Sequence, residues 1–157
     1  MDVYARLKKL GIELTEHTPR GGLYTSTLFF GEGERLAYVS GTGPAFGRED
    51  ARLGRVGRDL TLAQGREEAR YCMRNILSNL HHDLGDLNRI RRFVKLTVFV
   101  ASADDFHQQP QVADGASALL RDVFSETAQL PARSAVGVNV LPGNIPVEIE
   151  ALLELTP

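Results

Sequence analysis

The sequence has one cysteine, no tryptophan and no apolar run long enough to cross a bilayer. A single thiol, Cys72, excludes a disulfide within the chain, and no cysteines and histidines follow the spacing of a zinc site. The N-terminal residues mix charged with apolar side chains and lack the hydrophobic segment of a signal peptide. These absences predict a protein of the reducing cytoplasm, without a membrane partner, a metal or another cofactor.

An excess of positive charge is also missing. The formal net charge is -2, so the chain offers no overall field that attracts a polyanion. Arg89, Arg91 and Arg92 precede a predicted strand, but no aromatic stacking platform accompanies them, and we interpret them as a solvated rim. Nucleic acid is therefore disfavoured as a partner.

The length and apolar content favour one domain. With 157 residues, of which 43% are hydrophobic, the chain can bury a real core but is too short for two ordinary domains. We predict a single domain over residues 1–157, in which residues 1–20 form an N-terminal arm. Val3, Leu7 and Leu10 recur in that arm at helical spacing.

Two long amphipathic helices are predicted. Thr61 and Gln64 form a capping-box pattern that opens the first helix, and Gly85 can end it. A second apolar stripe runs from Val112 to Val123 and ends near 124–126. Cys72 lies beside the first stripe, which favours an inert core thiol over a nucleophile.

Strand patterns surround these helices. They fall at 23–30, 35–40, 93–100, 130–141 and 147–154, with a further short strand near 54–57. The run at 93–100 is apolar on both faces, which indicates a central strand. Two helices with single apolar stripes cover only one face of such a sheet, so the pattern predicts a two-layer α+β domain.

The C-terminal stretch contains the strongest functional candidates. Arg133 follows a Pro-Ala turn and has the flat, charged fork that suits a carboxylate ligand. In the last strand Glu148, Glu150 and Glu154 alternate with apolar residues and share a face with Leu152. A mixed apolar and acidic sheet face is typical of an interface or a site.

Three segments of this stretch carry a family resemblance: Pro131-Ala132-Arg133-Ser134, Leu141-Pro142 and Val147-Glu148-Ile149-Glu150-Ala151. They resemble the C-terminal signature of the RidA (YjgF/YER057c/UK114) family of imine deaminases. The segments 56–62 and 112–117 are more similar to a less characterised branch with a chorismate-mutase-like fold. The resemblance implies a bacillus-type chorismate-mutase-like domain with a mixed sheet and two long helices on one face. It also implies a homotrimer with ligand clefts between subunits.

The resemblance further implies hydrolytic deamination of 2-imino or enamino acids to 2-oxo acids and ammonia. Arg133 would anchor the substrate carboxylate, and Glu148 would position the hydrolytic water. The expected cleft is also lined by Tyr24, Ser40, Gly41, Ser117, Ala135 and Val136. Ala135 occupies a position where relatives commonly have cysteine, which excludes a thiol role there.

Other readings of the same residues remain open at this point. Arg133 could form an intersubunit salt bridge with Glu148 or Glu150, and Glu148 could be a simple exposed strand residue. The protein could bind small carboxylates as a noncatalytic trimer, or act as an endoribonuclease.

Overall fold

The computed structural model describes residues 2–124 and 130–157. Within them the main elements are listed in chain order: α1 (Val3–Lys9), β1 (Thr27–Phe30), β2 (Leu36–Thr42), α2 (Leu62–Leu84), β3 (Ile90–Ala101), α3 (Gln109–Phe124), β4 (Ala132–Val138) and β5 (Val147–Leu155). The strands form one mixed sheet, and α2 and α3 pack on one of its faces. This confirms the predicted α+β class.

The sheet has the order β1-β2-β5-β3-β4. Its pairs are antiparallel except for β3 and β4, which run parallel. A parallel pair needs a long crossover, and α3 supplies it. Alternate residues of β5 from Val147 to Leu155 are buried under the helices. The other residues of β5 lie on the opposite face, which no element of the described chain covers and which we call the open face.

The predicted helix caps are confirmed at α2. The Gln64 backbone N–H donates to Thr61 Oγ1 over 3.2 Å, and the Thr61 N–H donates to Gln64 Oε1 over 2.9 Å. Gly85 ends the helix with φ +77°, a left-handed conformation that glycine adopts without steric cost. Where α3 crosses α2, a side chain at Gly115 would overlap the Arg66 carbonyl oxygen, so a glycine is needed there for close packing.

The N-terminal residues pack against the domain. Val3 and Leu7 of α1 are buried in the core. The Tyr4 hydroxyl lies 2.9 Å from His81 Nδ1 and accepts a hydrogen bond from the Leu87 N–H. Further along, backbone N–H groups of residues 15 and 18 donate to side chains of α2. This segment is therefore anchored to α2.

Several predicted elements differ from the structure, and the strand predicted at 130–141 is shorter, at Ala132–Val138. The strand expected at 54–57 is wrong, because Val56 forms only isolated bridges, to Leu60 and Ser102. The first strand begins at Thr27 rather than residue 23, since 21–26 makes turns and side-chain contacts instead. The second of the two predicted long helices, α3, begins at Gln109, three residues before Val112. Its expected end at 125–126 lies outside the described residues.

Candidate active site

The pairing of strands places Glu148 on the open face. It lies opposite Phe99 of β3, and Phe99 lies opposite Val136 of β4. Directly paired residues point to the same side of a sheet, so these three side chains form a row across the open face. On its other side, Glu148 adjoins Gly41 of β2.

A groove runs along the open face at Glu148. It consists of two adjoining depressions of about 470 and 450 Å³, which share Tyr24, Gly41 and Glu148. The first extends towards Pro19, Phe46 and Ile145, and the second towards Tyr38, Ser40 and Glu150. We call the combined space the Glu148 groove. The only charged residues that line it within the described chain are the two glutamates.

Glu148 is the chemically distinctive group of the groove. Its side chain is half-buried and has no hydrogen-bond or ion-pair partner within residues 2–124 and 130–157. Burial, and secondly the charge of Glu150, raise the pKa of the Glu148 carboxyl above its usual range. A raised pKa makes the Glu148 carboxylate a stronger base, which favours acid-base chemistry at this position.

Gly41 allows Glu148 its position. A Cβ at residue 41 would stand 2.8 Å from the carboxyl carbon of Glu148 and overlap Oε1. The register of β2 against β5 shifts between Val39 and Thr42, and this irregularity brings the glycine backbone beside the carboxyl.

Tyr38 and Glu150 form a second polar pair in the groove. The Tyr38 hydroxyl donates to Glu150 Oε1 over 3.2 Å. Burial and the neighbouring carboxylate raise the pKa of Tyr38, so its proton stays available for this bond. The sequence analysis did not select either residue as part of the site. The alternation of side chains along a strand could have pointed to Glu150, because it places Glu150 on the same face of β5 as Glu148.

Polar side chains of α2 hold one wall of the groove. Asn75 donates from Nδ2 to the Gly43 carbonyl over 2.9 Å, and Arg74 donates from Nη2 to the Phe46 carbonyl over 3.1 Å. Farther along the same loop, Arg48 and Arg52 bind the fully buried Glu68. These residues were missed, although Glu68 and Asn75 lie seven positions apart on the apolar side of α2, where polar groups need buried partners.

Arg133 lies on the other side of the sheet. It is paired with Leu96, which is buried under the helices. Its Nη1 donates to Asp114 Oδ1 and Ser117 Oγ, each over 2.9 Å, and its Nη2 donates to the Pro110 carbonyl over 3.1 Å. The ion pair that Arg133 makes in this chain is therefore with Asp114, and three of its five N–H donors are occupied.

The predicted site residues thus divide into two groups. Tyr24, Ser40, Gly41 and Val136 lie with Glu148 on the open face. Ser117 and Ala135 lie with Arg133 on the helix side. Within one chain, the guanidinium and the Glu148 carboxyl do not meet.

Other reactive groups lie away from the groove or are inert. Cys72 is fully buried and donates from Sγ to the Val147 carbonyl over 3.4 Å, and burial raises the pKa of its thiol well above the usual value. Across residues 2–124 and 130–157, no three histidine, cysteine, aspartate or glutamate side chains are grouped to hold a metal ion. In the same residues, none of the helices combines the length and apolar character needed to cross a membrane.

The chain matches known proteins over nearly its whole length. The family model described as Endoribonuclease L-PSP matches residues 30–155. The chain belongs to this family, which is the YjgF/RidA family. The sequence-based recognition of the RidA family is thereby confirmed.

Individual relatives agree with the family assignment. Protein TCP17 of Trypanosoma cruzi is 40% identical over 153 residues, which cover 98% of this chain and 94% of that protein. The crystal structure of Atu1372 from Agrobacterium tumefaciens, a protein of unknown function, is 39% identical, covers 98% of this chain and 94% of its own, and superposes with a TM-score of 0.86. The YjgF gene product of E. coli is 26% identical, with coverages of 90% and 95% and a TM-score of 0.60.

Proposed function

We propose that this RidA-family protein hydrolyses 2-imino or enamino acids to 2-oxo acids and ammonia, and that Glu148 is its acid-base group. The observation that carries the proposal is the state of that carboxyl. It is half-buried in a groove, has a raised pKa and has no partner in the described chain. Structural carboxylates inside proteins are normally paired, and an unpaired one in a cleft is typical of a catalytic group.

The reaction requires only one such group. Water adds to the carbon of the protonated imine while the Glu148 carboxylate takes one of its protons, which gives a neutral carbinolamine. The protonated carboxyl returns that proton to the amine nitrogen. The carbon–nitrogen bond then breaks as the carbinolamine hydroxyl gives its proton to the carboxylate, which releases it to solvent. The products are a 2-oxo acid and ammonia. A positioned carboxyl of this kind contributes roughly a hundred- to ten-thousand-fold to a rate. The proposal uses neither a metal nor an organic cofactor.

The carboxylate anchor has to come from a second subunit. Arg133 and Glu148 lie on opposite faces of one sheet, so they can hold the same substrate only if each groove receives Arg133 from a neighbouring copy. Two N–H donors of Arg133 remain for a substrate carboxylate beyond the three already used. Val136 and Tyr38 are 41% and 42% exposed on the open face, which supports its use as a contact between copies. The assembly in this proposal is a cytoplasmic homotrimer.

The test is ammonia release from 2-iminopropionate or 2-iminobutyrate generated in situ. We expect release above the buffer rate, a loss of at least a hundredfold in Glu148→Gln, and little change in Glu32→Gln, which alters an exposed glutamate of the first hairpin. Release equal to buffer in the wild-type protein, or equal rates in the Glu148→Gln and wild-type proteins, would reject the proposal.

One observation favours a second candidate, a noncatalytic trimer that binds small carboxylates. The guanidinium of Arg133 is already held by Asp114, Ser117 and Pro110, as expected of a rigid binding group or a structural one. This candidate predicts that 2-oxobutyrate raises the melting temperature of the wild-type protein but not of Arg133→Ala, while no ammonia is released. Endoribonuclease activity is disfavoured, because Glu148 and Glu150 in the groove repel phosphates. RNA cleavage that co-purifies with the trimer would revive it.

A further inference from the structure

A second carboxylate faces the same groove as Glu148. Glu150 follows it by two residues on β5, so the two side chains leave the same face of the strand roughly 7 Å apart. Both line the depression that also contains Tyr38. The pair Tyr38 and Glu150 has no role in the bond-breaking steps described above.

Tyr38 fixes where the charge of Glu150 lies. Its hydroxyl donates to Glu150 Oε1 over 3.2 Å from the neighbouring strand β2. Tyr38 is paired with Leu152, the next residue of β5 on the open face, so its ring reaches back along the groove towards Glu150. Without this bond, the flexible glutamate side chain would spend more time in solvent, farther from Glu148.

We propose that Glu150 is a positioning residue for Glu148, and that Tyr38 keeps it in the groove for that purpose. This inference rests on the proposed function and adds two residues to it. The negative charge of Glu150 disfavours a second negative charge beside it, so Glu148 keeps its proton to higher pH than it would alone. The Glu148 carboxylate is therefore a stronger base when it takes the proton of the attacking water.

The other ionisable groups around Glu148 do not neutralise this effect. Tyr24 lies across the groove, on the segment before β1. Cys72 of α2 lies beneath the strand, and its thiol pKa is raised by burial and then by nearby carboxylates, so it is neutral. On β3 and β4 the residues level with Glu148 are Phe99 and Val136, which have no charge. Glu150 is therefore the one charged neighbour of Glu148 along the described walls of the groove.

The experiment is a titration of the Glu148 carboxyl by NMR, using protein with ¹³C-labelled glutamate side chains and Glu148→Gln to assign the signal. In Glu150→Gln we expect the Glu148 midpoint to fall by about half a pH unit, as expected for a charge roughly 7 Å away in a partly solvated groove. Tyr38→Phe should lower it by less, and Glu32→Gln should leave it unchanged. The acid side of the pH–rate profile for ammonia release should move with the midpoint in each variant.

The outcomes separate this inference from the proposed function. An unchanged midpoint in Glu150→Gln overturns the inference, whatever the activity. A lowered midpoint with an unmoved pH–rate profile also overturns it, because the charge would then have no part in the reaction. If the wild-type protein releases no ammonia, the proposed function fails on its own, and a lowered midpoint then supports only the electrostatic coupling of the two glutamates.

Discussion

Glu148 rests against the backbone of Gly41, with no room for a methyl group between them. We expect Gly41→Ala to displace the carboxyl and to lower ammonia release by about a hundredfold, since small misplacements of a catalytic group have effects of that size. Gly22→Ala is the matched control, because a Cβ there would meet Tyr24 only at an ordinary 3.6 Å. Equal activity of the two variants would contradict a fixed position for the carboxyl.

The raised pKa of Glu148 predicts how stability depends on pH. A carboxyl whose pKa is higher in the folded than in the unfolded protein leaves stability unchanged below its unfolded pKa, here near 4.5. It lowers stability as the pH rises through its folded pKa. The glutamine of Glu148→Gln cannot ionise. The free energy of unfolding of this variant, compared with that of the wild type at the same pH, should therefore be higher at pH 8 than at pH 4. Urea unfolding at both pH values measures this. A gain that is larger at pH 4 than at pH 8 would contradict the raised pKa.

The ion pair between Arg133 and Asp114 offers a way to separate structure from binding. Arg133→Ala removes three hydrogen bonds and should lower the free energy of unfolding by about 1–3 kcal/mol. Asp114→Asn removes the ion pair but keeps the guanidinium, and it should cost about 1 kcal/mol, since Asp114 is partly exposed.

Binding of 2-oxobutyrate then distinguishes the two variants. If Arg133 anchors the substrate carboxylate, Arg133→Ala should lose binding measured by calorimetry, and Asp114→Asn should retain it. Equal affinities in the two variants would show that the arginine is purely structural.

The buried Glu68 should be the main stabiliser of the loop that forms the groove wall. Glu68→Gln leaves Arg48, whose side chain is 4% exposed, without its buried counter-charge. The expected loss in the free energy of unfolding is about 3 kcal/mol. Glu67→Gln is the matched control, because Glu67 binds Arg52 at the surface. This substitution should lower the free energy of unfolding by less than about 1 kcal/mol. Chemical denaturation of both variants makes the comparison, and a larger loss in Glu67→Gln would contradict it.

The open face should carry the contact between subunits. Val136→Glu places a charge in the row that contains Phe99 and Glu148, and we expect it to convert the proposed trimer to monomers and to abolish ammonia release. Leu53→Glu changes an exposed leucine of the loop between β2 and α2 and should leave the trimer intact. Sedimentation velocity measures both. A monomeric wild-type protein would reject the assembly, and a trimeric Val136→Glu variant would place the contact elsewhere.

Much of the fold follows from local patterns in the sequence. Thr61, Gln64 and Gly85 predict the limits of α2 because capping depends on a few adjacent residues. The alternation after Val147 predicts β5 and the face that holds Glu148. The strand expected at 54–57 was wrong because its glycines serve turns, at φ +109° for Gly54 and +87° for Gly57, and not a strand.

The arrangement of the site required more than local patterns. The face on which Arg133 lies depends on the parallel register of β4 against β3, and no local signal gives that register. The partners of Glu68 are 16 and 20 residues away in an irregular loop, whose path a periodicity argument does not predict. The sequence therefore identified individual candidate residues, while their distribution over two faces appeared only in the structure.

The burial of Cys72 has a consequence for the proposed reaction. Imines are electrophiles at carbon, and a cysteine can attack them only as an accessible thiolate. The one sulfhydryl of this chain is protonated and closed off beneath the strand that carries Glu148. In the proposed reaction, the protein would therefore meet its substrate turnover after turnover without consuming a thiol of its own.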